Sequence, residues 1–261
     1  MARIYPLFSS SSGNSHFIGT PSGGILIDAG VSCRRLVNAL RQNDIPPEAV
    51  KAVFITHNHS DHISGLRVFE NCFKAPVFAS GETLDYLFDN GHLAPETDCG
   101  EIGGGVDASG FFVSSFSTPH DAPGSVGYKI HTPDGKICCV CTDLGYVTDE
   151  IDTELRGSDL VLLESNYDES MLRNGGYPYV LKQRIASKTG HLSNKDSARE
   201  VRVLIESGTQ RIILGHLSRE NNTPIVAENT LLRELGNDFV RNRDYMLTIA
   251  PIETKGLGVV F

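Results

Sequence analysis

Tryptophan is absent from this chain of 261 residues, and positive charge is scarce, with 23 Lys and Arg against 32 Asp and Glu. The resulting net charge of −9 argues against non-specific binding to nucleic acid. No segment approaches the ~18 consecutive apolar residues of a transmembrane helix. The first residues contain no apolar run of the kind found in signal peptides. We therefore expect a protein that does not enter a membrane.

Cysteine is also scarce, with six residues in the chain. Six cysteines do not make a disulfide framework in a chain of this length, and their number fits a reducing compartment. Cys138, Cys139 and Cys141 lie in one apolar run, so we expect them to be packed core residues, and we interpret the other three in the same way. The sequence therefore predicts a cytoplasmic protein.

The positive charges are concentrated in one part of the chain. Residues 173–219 contain nine Lys and Arg and three Asp and Glu, a local net charge of +6, whereas the remainder carries −15. The nine basic residues are Arg173, Lys182, Arg184, Lys188, Lys195, Arg199, Arg202, Arg211 and Arg219. Two interpretations stay open, a solvated helical surface or a basic rim beside an active site.

Short apolar runs typical of β-strands alternate with segments of helical periodicity. The predicted strands are residues 3–8, 16–20, 24–30, 51–55, 110–118, 125–130, 136–143, 159–165 and 211–216. The predicted helices are residues 32–43, 81–91, 177–187, 193–208 and 224–236. No linker or low-complexity tract separates them. We predict a single domain over residues 1–261, of the α+β class, with two β-rich halves packed face to face and helices outside.

A dense group of metal-binding residues follows the predicted strand 51–55. His57, His59, Asp61 and His62 lie within six consecutive positions. In an extended segment residues two apart point the same way, so His57 and His59 can bind one ion together. Asp61 and His62 lie just beyond and face a second position. Imidazole and carboxylate groups suit zinc, manganese or iron, and the pattern therefore predicts a metal site.

Three residues elsewhere share the same position at the end of a predicted strand. They are His120, Asp143 and His216. An aspartate is a poor strand residue, so Asp143 needs a reason to be there, and its carboxylate can bridge two cations. We interpret His16, His92 and His131 as structural. The three strand-end residues are candidates to complete the metal site.

In this order, the array H-x-H-x-D-H, a single His, an Asp after a strand and a late His resembles the metallo-β-lactamase superfamily. The resemblance covers nearly the whole chain and implies an αββα sandwich with the site on loops at one edge. It implies a first metal held by His57, His59 and His120 and a second held by Asp61, His62 and His216. Asp143 would bridge the two.

Two further segments resemble a nuclease branch of this superfamily. "LVLLESNYD" (160–168) and "GHLSN" (190–194) resemble the RNase Z-like branch, which implies a catalytic role for Glu164 and His191 together with Asp61. A carboxylate that holds an imidazole makes a sensible general acid for a leaving alkoxide. "FSSSSGNSHFIG", "RIASKTGHLSN" and "LGHLSRENN" resemble most closely the YycJ/WalJ group, which is linked to 5′→3′ DNA exonuclease activity.

The resemblance implies hydrolysis of a nucleic acid phosphodiester, with DNA favoured, by a hydroxide that two metal ions activate. The segments between the predicted ligands are too short for the tRNA-gripping arm of RNase Z or the cap of the β-CASP nucleases. We therefore expect substrate contacts from loops and basic helices, and the candidates are Asn14, Lys182, Arg184, Lys188 and Arg219.

Two other functions remain open at this stage. One is a metal-dependent ester or thioester hydrolase of a small metabolite, whose activity would not depend on the positive charges of residues 173–219. The other is a metal-binding scaffold without turnover. The sequence does not distinguish zinc, manganese and iron, and it gives neither the strandedness of the substrate nor the oligomeric state.

Overall fold

The computed structural model of the chain describes residues 1–256 and 258–261, and within them the strands form two seven-stranded sheets. In chain order the strands are β1 (Arg3–Ser10), β2 (Gly13–Thr20), β3 (Gly23–Ile27), β4 (Val50–Phe54), β5 (Val77–Ala79), β6 (Cys99–Glu101), β7 (Val106–Ala108), β8 (Phe111–Ser117), β9 (Val126–His131), β10 (Ile137–Cys141), β11 (Leu160–Glu164), β12 (Arg211–Gly215), β13 (Met246–Ile249) and β14 (Val259–Val260). The first sheet has the order β14-β1-β2-β3-β4-β5-β6 and the second β13-β12-β11-β10-β9-β8-β7.

The helices lie between and after these strands. They are α1 (Cys33–Gln42), α2 (Ser60–Ile63), α3 (Leu66–Phe73), α4 (Gly81–Asp89), α5 (Asp149–Leu155), α6 (Glu169–Asn174), α7 (Tyr179–Ile185), α8 (Asn194–Glu206) and α9 (Pro224–Leu235), with a 3₁₀ turn at Pro47–Ala49. Several begin at a side chain that accepts a hydrogen bond from the first turn, for example Ser193 before α8 and Thr223 before α9. Such caps satisfy backbone N–H groups that the helix leaves unpaired. In the part of the chain that the structure describes, no helix is both long and apolar enough to cross a membrane.

Side chains of the central strands are apolar on both faces of each sheet, so one face packs against the other sheet and the opposite face packs against helices. In β11, Leu160 and Leu162 lie in the core between the sheets, where they join residues of the first sheet such as Phe54. Val161 and Leu163 point the other way, into the core beneath α5, α8 and α9. A third core lies between the first sheet and α1, α3 and α4. The predicted αββα sandwich is confirmed.

The carboxyl ends of the site-bearing strands meet at one edge of the sandwich. β3 and β4 are parallel, and so are β10, β11 and β12. β8 has the same direction as β10, because each pairs antiparallel with β9. β2 runs antiparallel to β3, so β2 begins at this edge. The loops after these strands and the β1–β2 hairpin are therefore neighbours.

Among the predicted strands that end earlier than expected, three end within two residues of a residue in the left-handed backbone conformation. β3 and β12 stop directly before Asp28 and His216, and β10 stops one residue short of Asp143, with Thr142 between them. The φ angles of Asp28, Asp143 and His216 are 62°, 59° and 53°. Non-glycine residues rarely adopt this conformation, and such positions cluster at functional sites. The turn at each strand end directs its side chain towards the same edge.

The elements that were not predicted from the sequence include α5, α6, β5, β6 and β7. The three strands have only three residues each, too few for an alternating pattern to be read. The cysteine prediction was also wrong at one position. Cys138, Cys139 and Cys141 are buried as expected, but Cys72 on α3 is exposed.

Candidate metal centre

Three histidines from two loops form the first candidate cation position. His57 and His59 follow β4, and His120 follows β8. One ring nitrogen of each lies within 4.8 Å of those of the other two. The Nδ1 atom of His59 faces Nε2 of His120 at 3.3 Å. These are the three residues that the sequence grouped as the first ligand set.

The second candidate position is formed by Asp61, His62 and His216, whose ligand atoms also lie within 4.8 Å of one another. Asp143 lies between the two positions, since it groups with His57 and His62 at the same spacing. Its Oδ1 atom is 3.8 Å from His120 Nε2, and its Oδ2 atom is 3.2 Å from His62 Nε2. The structure thus brings together all seven residues predicted as ligands.

Neighbouring groups form hydrogen bonds with Nδ1 of several of these histidines. His62 Nδ1 donates to Asp28 Oδ2 at 2.7 Å, and His120 Nδ1 donates to the carbonyl oxygen of Gly190 at 3.0 Å. The Thr56 hydroxyl donates to Asp28 and accepts from His57 Nδ1 at 3.0 Å. Such bonds orient a ligand histidine and direct its remaining nitrogen at the metal.

The donor set fits two divalent cations because buried ligand atoms have no other partner. Among the described residues, Nε2 of His57 and Nε2 of His216 make no hydrogen bond. Oδ2 of Asp143 approaches His62 without forming one. Buried polar atoms are normally paired, and leaving them unpaired is unfavourable. A cation at each position would satisfy these atoms with imidazole and carboxylate ligands.

The charges in the site are set by burial and by neighbours. Burial lowers the pKa of His57 well below its ordinary value, which keeps the imidazole in the neutral form that binds metals. Burial alone would raise the pKa of Asp143, but the nearby His216 and His62 lower it well below its usual range. His57 is therefore neutral and Asp143 is ionised. Burial lowers the pKa of His62 and His216, but Asp28 and Asp143 raise that of His62 well above its ordinary value, and Asp143 raises that of His216 to about 10. A cation bound by these two rings would take the place of a proton.

Glu164 and His191 form a buried pair beside these ligands. Oε1 of Glu164 accepts from Nδ1 of His191 and from Nδ1 of His216, both at 2.8 Å. Its Oε2 atom accepts from the backbone N–H groups of Leu144 and Leu192. Burial alone would raise the pKa of Glu164, but the charge and hydrogen bond of His191 and the bond from His216 lower it to about 2.

His191 itself lies at the opening of the site, with 19% of its side chain exposed. Its Nδ1 atom is 3.4 Å from Oδ1 of Asp143. Burial lowers the pKa of His191, but the Glu164 carboxylate raises it more, so the net shift is upward. Asp143, Glu164, His191 and His216 also lie close enough to hold an ion. Both oxygens of Glu164 are occupied by hydrogen bonds, which favours its assignment as a support rather than a ligand.

Two residues of the site were missed in the sequence. Asp28 is fully buried and connects Thr56 to His62. It is an aspartate near the end of a predicted strand, a signal close to the one used for Asp143. Asp121 follows His120 directly. Its carboxylate lies 3.6 Å from His59 Nε2 and pairs with the guanidinium of Arg184. No sequence signal distinguished Asp121 from an ordinary loop residue.

Asn14 occupies a different place from the one expected of a substrate contact. It is fully buried, and its amide donates to the Ser10 carbonyl at 3.0 Å and to Asp61 Oδ2 at 3.4 Å. The same nitrogen is 3.1 Å from His62 Nε2. The structure therefore places Asn14 in contact with two proposed ligands, on the side of His62 that faces the candidate cation position.

The four basic residues predicted to bind substrate differ in their surroundings. Arg184 is paired with Asp121 at the rim of the centre, and Lys182 donates to the carbonyl oxygen of Arg173 at 2.8 Å. Lys188 and Arg219 are exposed, and in the described part of the chain neither has a carboxylate within 4.0 Å. They are therefore free to bind an anion.

Comparison with known proteins gives two kinds of similarity. The family described as the metallo-beta-lactamase superfamily matches residues 10–216, a range that includes every proposed ligand. The chain is 35% identical over 233 residues to exodeoxyribonuclease WalJ of Streptococcus pneumoniae, covering 88% of this chain and 86% of that protein. It is 34% identical over 257 residues to exodeoxyribonuclease YycJ of Bacillus anthracis, covering 97% and 90%.

Among solved structures, the metallo-beta-lactamase fold protein YhfI of Bacillus subtilis superposes with a TM-score of 0.73. The match covers 97% of this chain and 98% of that one, at 15% sequence identity. At this identity the similarity concerns the fold alone.

Proposed function

The chain belongs to the metallo-beta-lactamase superfamily and, within it, to the WalJ/YycJ group, and from this premise we propose that it is a metal-dependent exonuclease that degrades DNA from the 5′ end. The relatives of similar length are named exodeoxyribonucleases, and the two chains cover most of each other. We also propose that residues 1–261 act as one domain and that the protein works in the cytoplasm.

Two divalent cations, zinc, manganese or iron, are the proposed cofactors. His57, His59 and His120 would hold one and Asp61, His62 and His216 the other, with Asp143 between them. When bound, such a pair lowers the pKa of water so that hydroxide forms near neutral pH, and it offsets the charge of the phosphate. The unpartnered buried atoms of His57, Asp143 and His216 support this assignment.

The observation that carries the proposal is the Glu164–His191 pair at the opening of the centre. Hydrolysis of a DNA phosphodiester releases a 3′-oxygen with a high pKa, which needs a proton as the P–O bond breaks. Glu164 holds the Nδ1 side of His191, so Nε2 is left to donate that proton to the leaving oxygen. Because Glu164 also holds His216, one carboxylate aligns the proton donor and a proposed ligand.

Exposed cations beside the centre suit a polyanionic substrate. Lys188 lies three residues before His191, and Arg219 three residues after His216, so both flank the proposed catalytic residues. The net charge of the chain is −9, so an attractive field for DNA has to come from such local groups. We propose that Lys188 and Arg219 bind phosphates next to the one that is hydrolysed.

The direct test is a nuclease assay on the full chain reloaded with zinc or manganese. DNA and RNA strands labelled at the 5′ or the 3′ end are the substrates, and Asp143→Ala is the control. We expect the 5′ label to appear first as a mononucleotide from DNA, with no release by Asp143→Ala. Release of the 3′ label first would contradict the proposed direction, and preference for RNA would contradict the proposed substrate.

A small thioester supplied to the same preparation tests the remaining alternative, a hydrolase of a small metabolite. Turnover of the thioester with no cleavage of either nucleic acid would overturn the proposal. Metal binding without any turnover would favour a scaffold.

A further inference from the structure

A groove of about 490 Å³ lies between α6 and α7. Its lining includes the rings of Tyr167 and Tyr179 and the apolar side chains of Leu172 and Ala186. Apolar and aromatic walls with a few polar groups are typical of sites for small, flat ligands. None of these four side chains belongs to the proposed catalytic set, so the groove is a separate feature.

Tyr179 is unusually exposed for an aromatic residue, with 73% of its surface open to solvent. Its hydroxyl accepts a hydrogen bond from the side-chain amide of Gln183 at 2.9 Å, which holds the phenol along the surface of α7. The ring face is left uncovered. An exposed aromatic face at the rim of a groove is the usual platform for a nucleic acid base.

Two cations line the same groove, Arg173 and Lys182. Within residues 1–256 and 258–261, no carboxylate lies within the 4.0 Å ion-pair distance of either charge. Glu169 supplies the acid of the lining, so the charged groups carry a net +1. Positive charge next to an aromatic platform complements a base and the phosphate attached to it.

The groove is connected to the metal centre through α7. Tyr179 and Arg184 are five residues apart, a rise of about 7.5 Å along a helix. Arg184 pairs with Asp121, which lies 3.6 Å from His59. The backbone N–H of His191 donates to the carbonyl oxygen of Ile185 at 2.9 Å, so the end of α7 also contacts the proposed acid.

We propose that this groove holds the base of an unpaired nucleotide in the DNA strand that is being hydrolysed. The base stacks on Tyr179, and Arg173 and Lys182 bind the adjoining phosphates. A paired base could not enter, so the substrate strand must be single-stranded or frayed at this position. The inference rests on the proposed function, since it assigns an additional contact to the same DNA strand.

The test is the affinity of the metal-loaded full chain for a short oligothymidylate with phosphorothioate linkages, measured by fluorescence anisotropy. We expect Tyr179→Ala to raise the dissociation constant at least about fivefold, the effect of losing one stacked base. Tyr179→Phe keeps the ring but loses the bond from Gln183, and it should lose much less affinity than Tyr179→Ala. Val180→Ala is the matched control, because Val180 is 76% exposed on the same helix but does not line the groove.

A second oligonucleotide of the same length, with every base removed and every phosphate kept, separates stacking from charge. The original chain should bind it more weakly than the oligothymidylate, and Tyr179→Ala should bind both with similar affinity. An equal loss for the two oligonucleotides in Tyr179→Ala, or no loss at all, would overturn the inference. Release of the 5′ label from ordinary DNA would in that case still support the proposed nuclease, whereas no binding and no hydrolysis would overturn both.

Discussion

The proposed ligand histidines can be recognised from the hydrogen bond that their second ring nitrogen makes. His62, His120 and His216 each use Nδ1 to donate to a fixed acceptor, which leaves Nε2 for a cation. All seven proposed ligands could be predicted from the sequence, because their types and order are informative. Asp28 supports His62 from behind, Asn14 contacts Asp61 and His62 at their ligand atoms, and both residues are distant in sequence from these partners. Their roles could be read only from the fold.

His191→Ala tests the proposed general acid. We expect the rate of DNA hydrolysis to fall by about 10²–10⁴-fold, since that is the usual contribution of a positioned proton donor. A nitrophenyl ester of thymidine 5′-phosphate releases a phenolate that needs no proton, so its hydrolysis should change little. Both rates are measured on the same metal-loaded variant.

Metal content is the control for His191→Ala, because the residue lies close enough to Asp143 to act as a ligand. The variant should bind as much metal as the original chain. Equal losses for the two substrates, together with loss of a metal ion, would assign His191 to the ligands instead.

Asp28→Asn tests whether a residue behind the ligands tunes metal binding. Oδ2 of Asp28 accepts from His62 Nδ1 and from the Thr56 hydroxyl, and Oδ1 accepts from the Thr56 backbone N–H, whereas an amide cannot accept with both of its heavy atoms. We expect affinity at one cation position to fall by about 10- to 100-fold, the usual effect of removing such a partner. Competition with a chromophoric chelator gives the affinities. Asp44 is an exposed aspartate that also has a positive φ, and Asp44→Asn should leave the metal affinity at both cation positions unchanged.

Elements were predictable from the sequence when they were long enough to show a pattern. α8 and α9 appear close to their expected positions, and so do β11 and β12. The short strands β5, β6 and β7 were not predicted, because pairing with neighbours rather than local sequence makes them strands. The ends of the site-bearing strands also escaped prediction, since the left-handed turns at Asp28 and Asp143 are imposed by tertiary contacts.

The packing of α8 makes a pH-dependent prediction about stability. Burial and repulsion from Asp152 raise the pKa of Glu200 to about 7. The folded chain therefore keeps a proton that the unfolded chain releases near pH 4.5, and stability falls as the pH rises from about 4.5 to about 7.

Glu200→Gln removes this titration. We expect the variant to be more stable than the original chain by about 1–2 kcal/mol at pH 8, with the difference disappearing below pH 4.5. Urea unfolding of both chains across this pH range provides the measurement. Titration of the metal centre contributes equally to both chains, so it cancels in the difference between their free energies of unfolding. A constant difference at every pH would show that Glu200 is not the group responsible.

The whole molecule combines a negative net charge with a positive segment, and the sequence left two interpretations of that segment open. In the structure, the basic residues of this segment fall into two groups. Arg184, Arg199 and Arg202 are in ion pairs, whereas Lys188 and Arg219 have none with the described residues. Part of the segment is thus an ordinary solvated surface, and part is available beside the centre. The sequence could give the excess of charge but not its pairing, because the partners Asp121 and Asp238 lie outside the segment.

Salt dependence tests this division. Each phosphate contact to a single strand contributes about −0.7 to the slope of log K against log salt concentration. Lys188→Ala and Arg219→Ala should each make the slope less negative by about that amount. Arg199→Ala is the matched control, because Arg199 is already paired with Asp196 on α8. The same change for all three variants would mean that the general field of the chain, rather than a local rim, attracts DNA.

The central claim is that the ligand sets on either side of Asp143 would hold two cations, which together would form one hydrolytic centre. The most direct measurement is a titration of the metal-free chain with zinc or manganese, in which bound metal and DNA hydrolysis are followed together. The account predicts two equivalents bound per chain and hydrolysis that appears with the second, with Asp143→Ala inactive at any metal concentration. Full hydrolysis at one equivalent, or undiminished hydrolysis by Asp143→Ala, would contradict it.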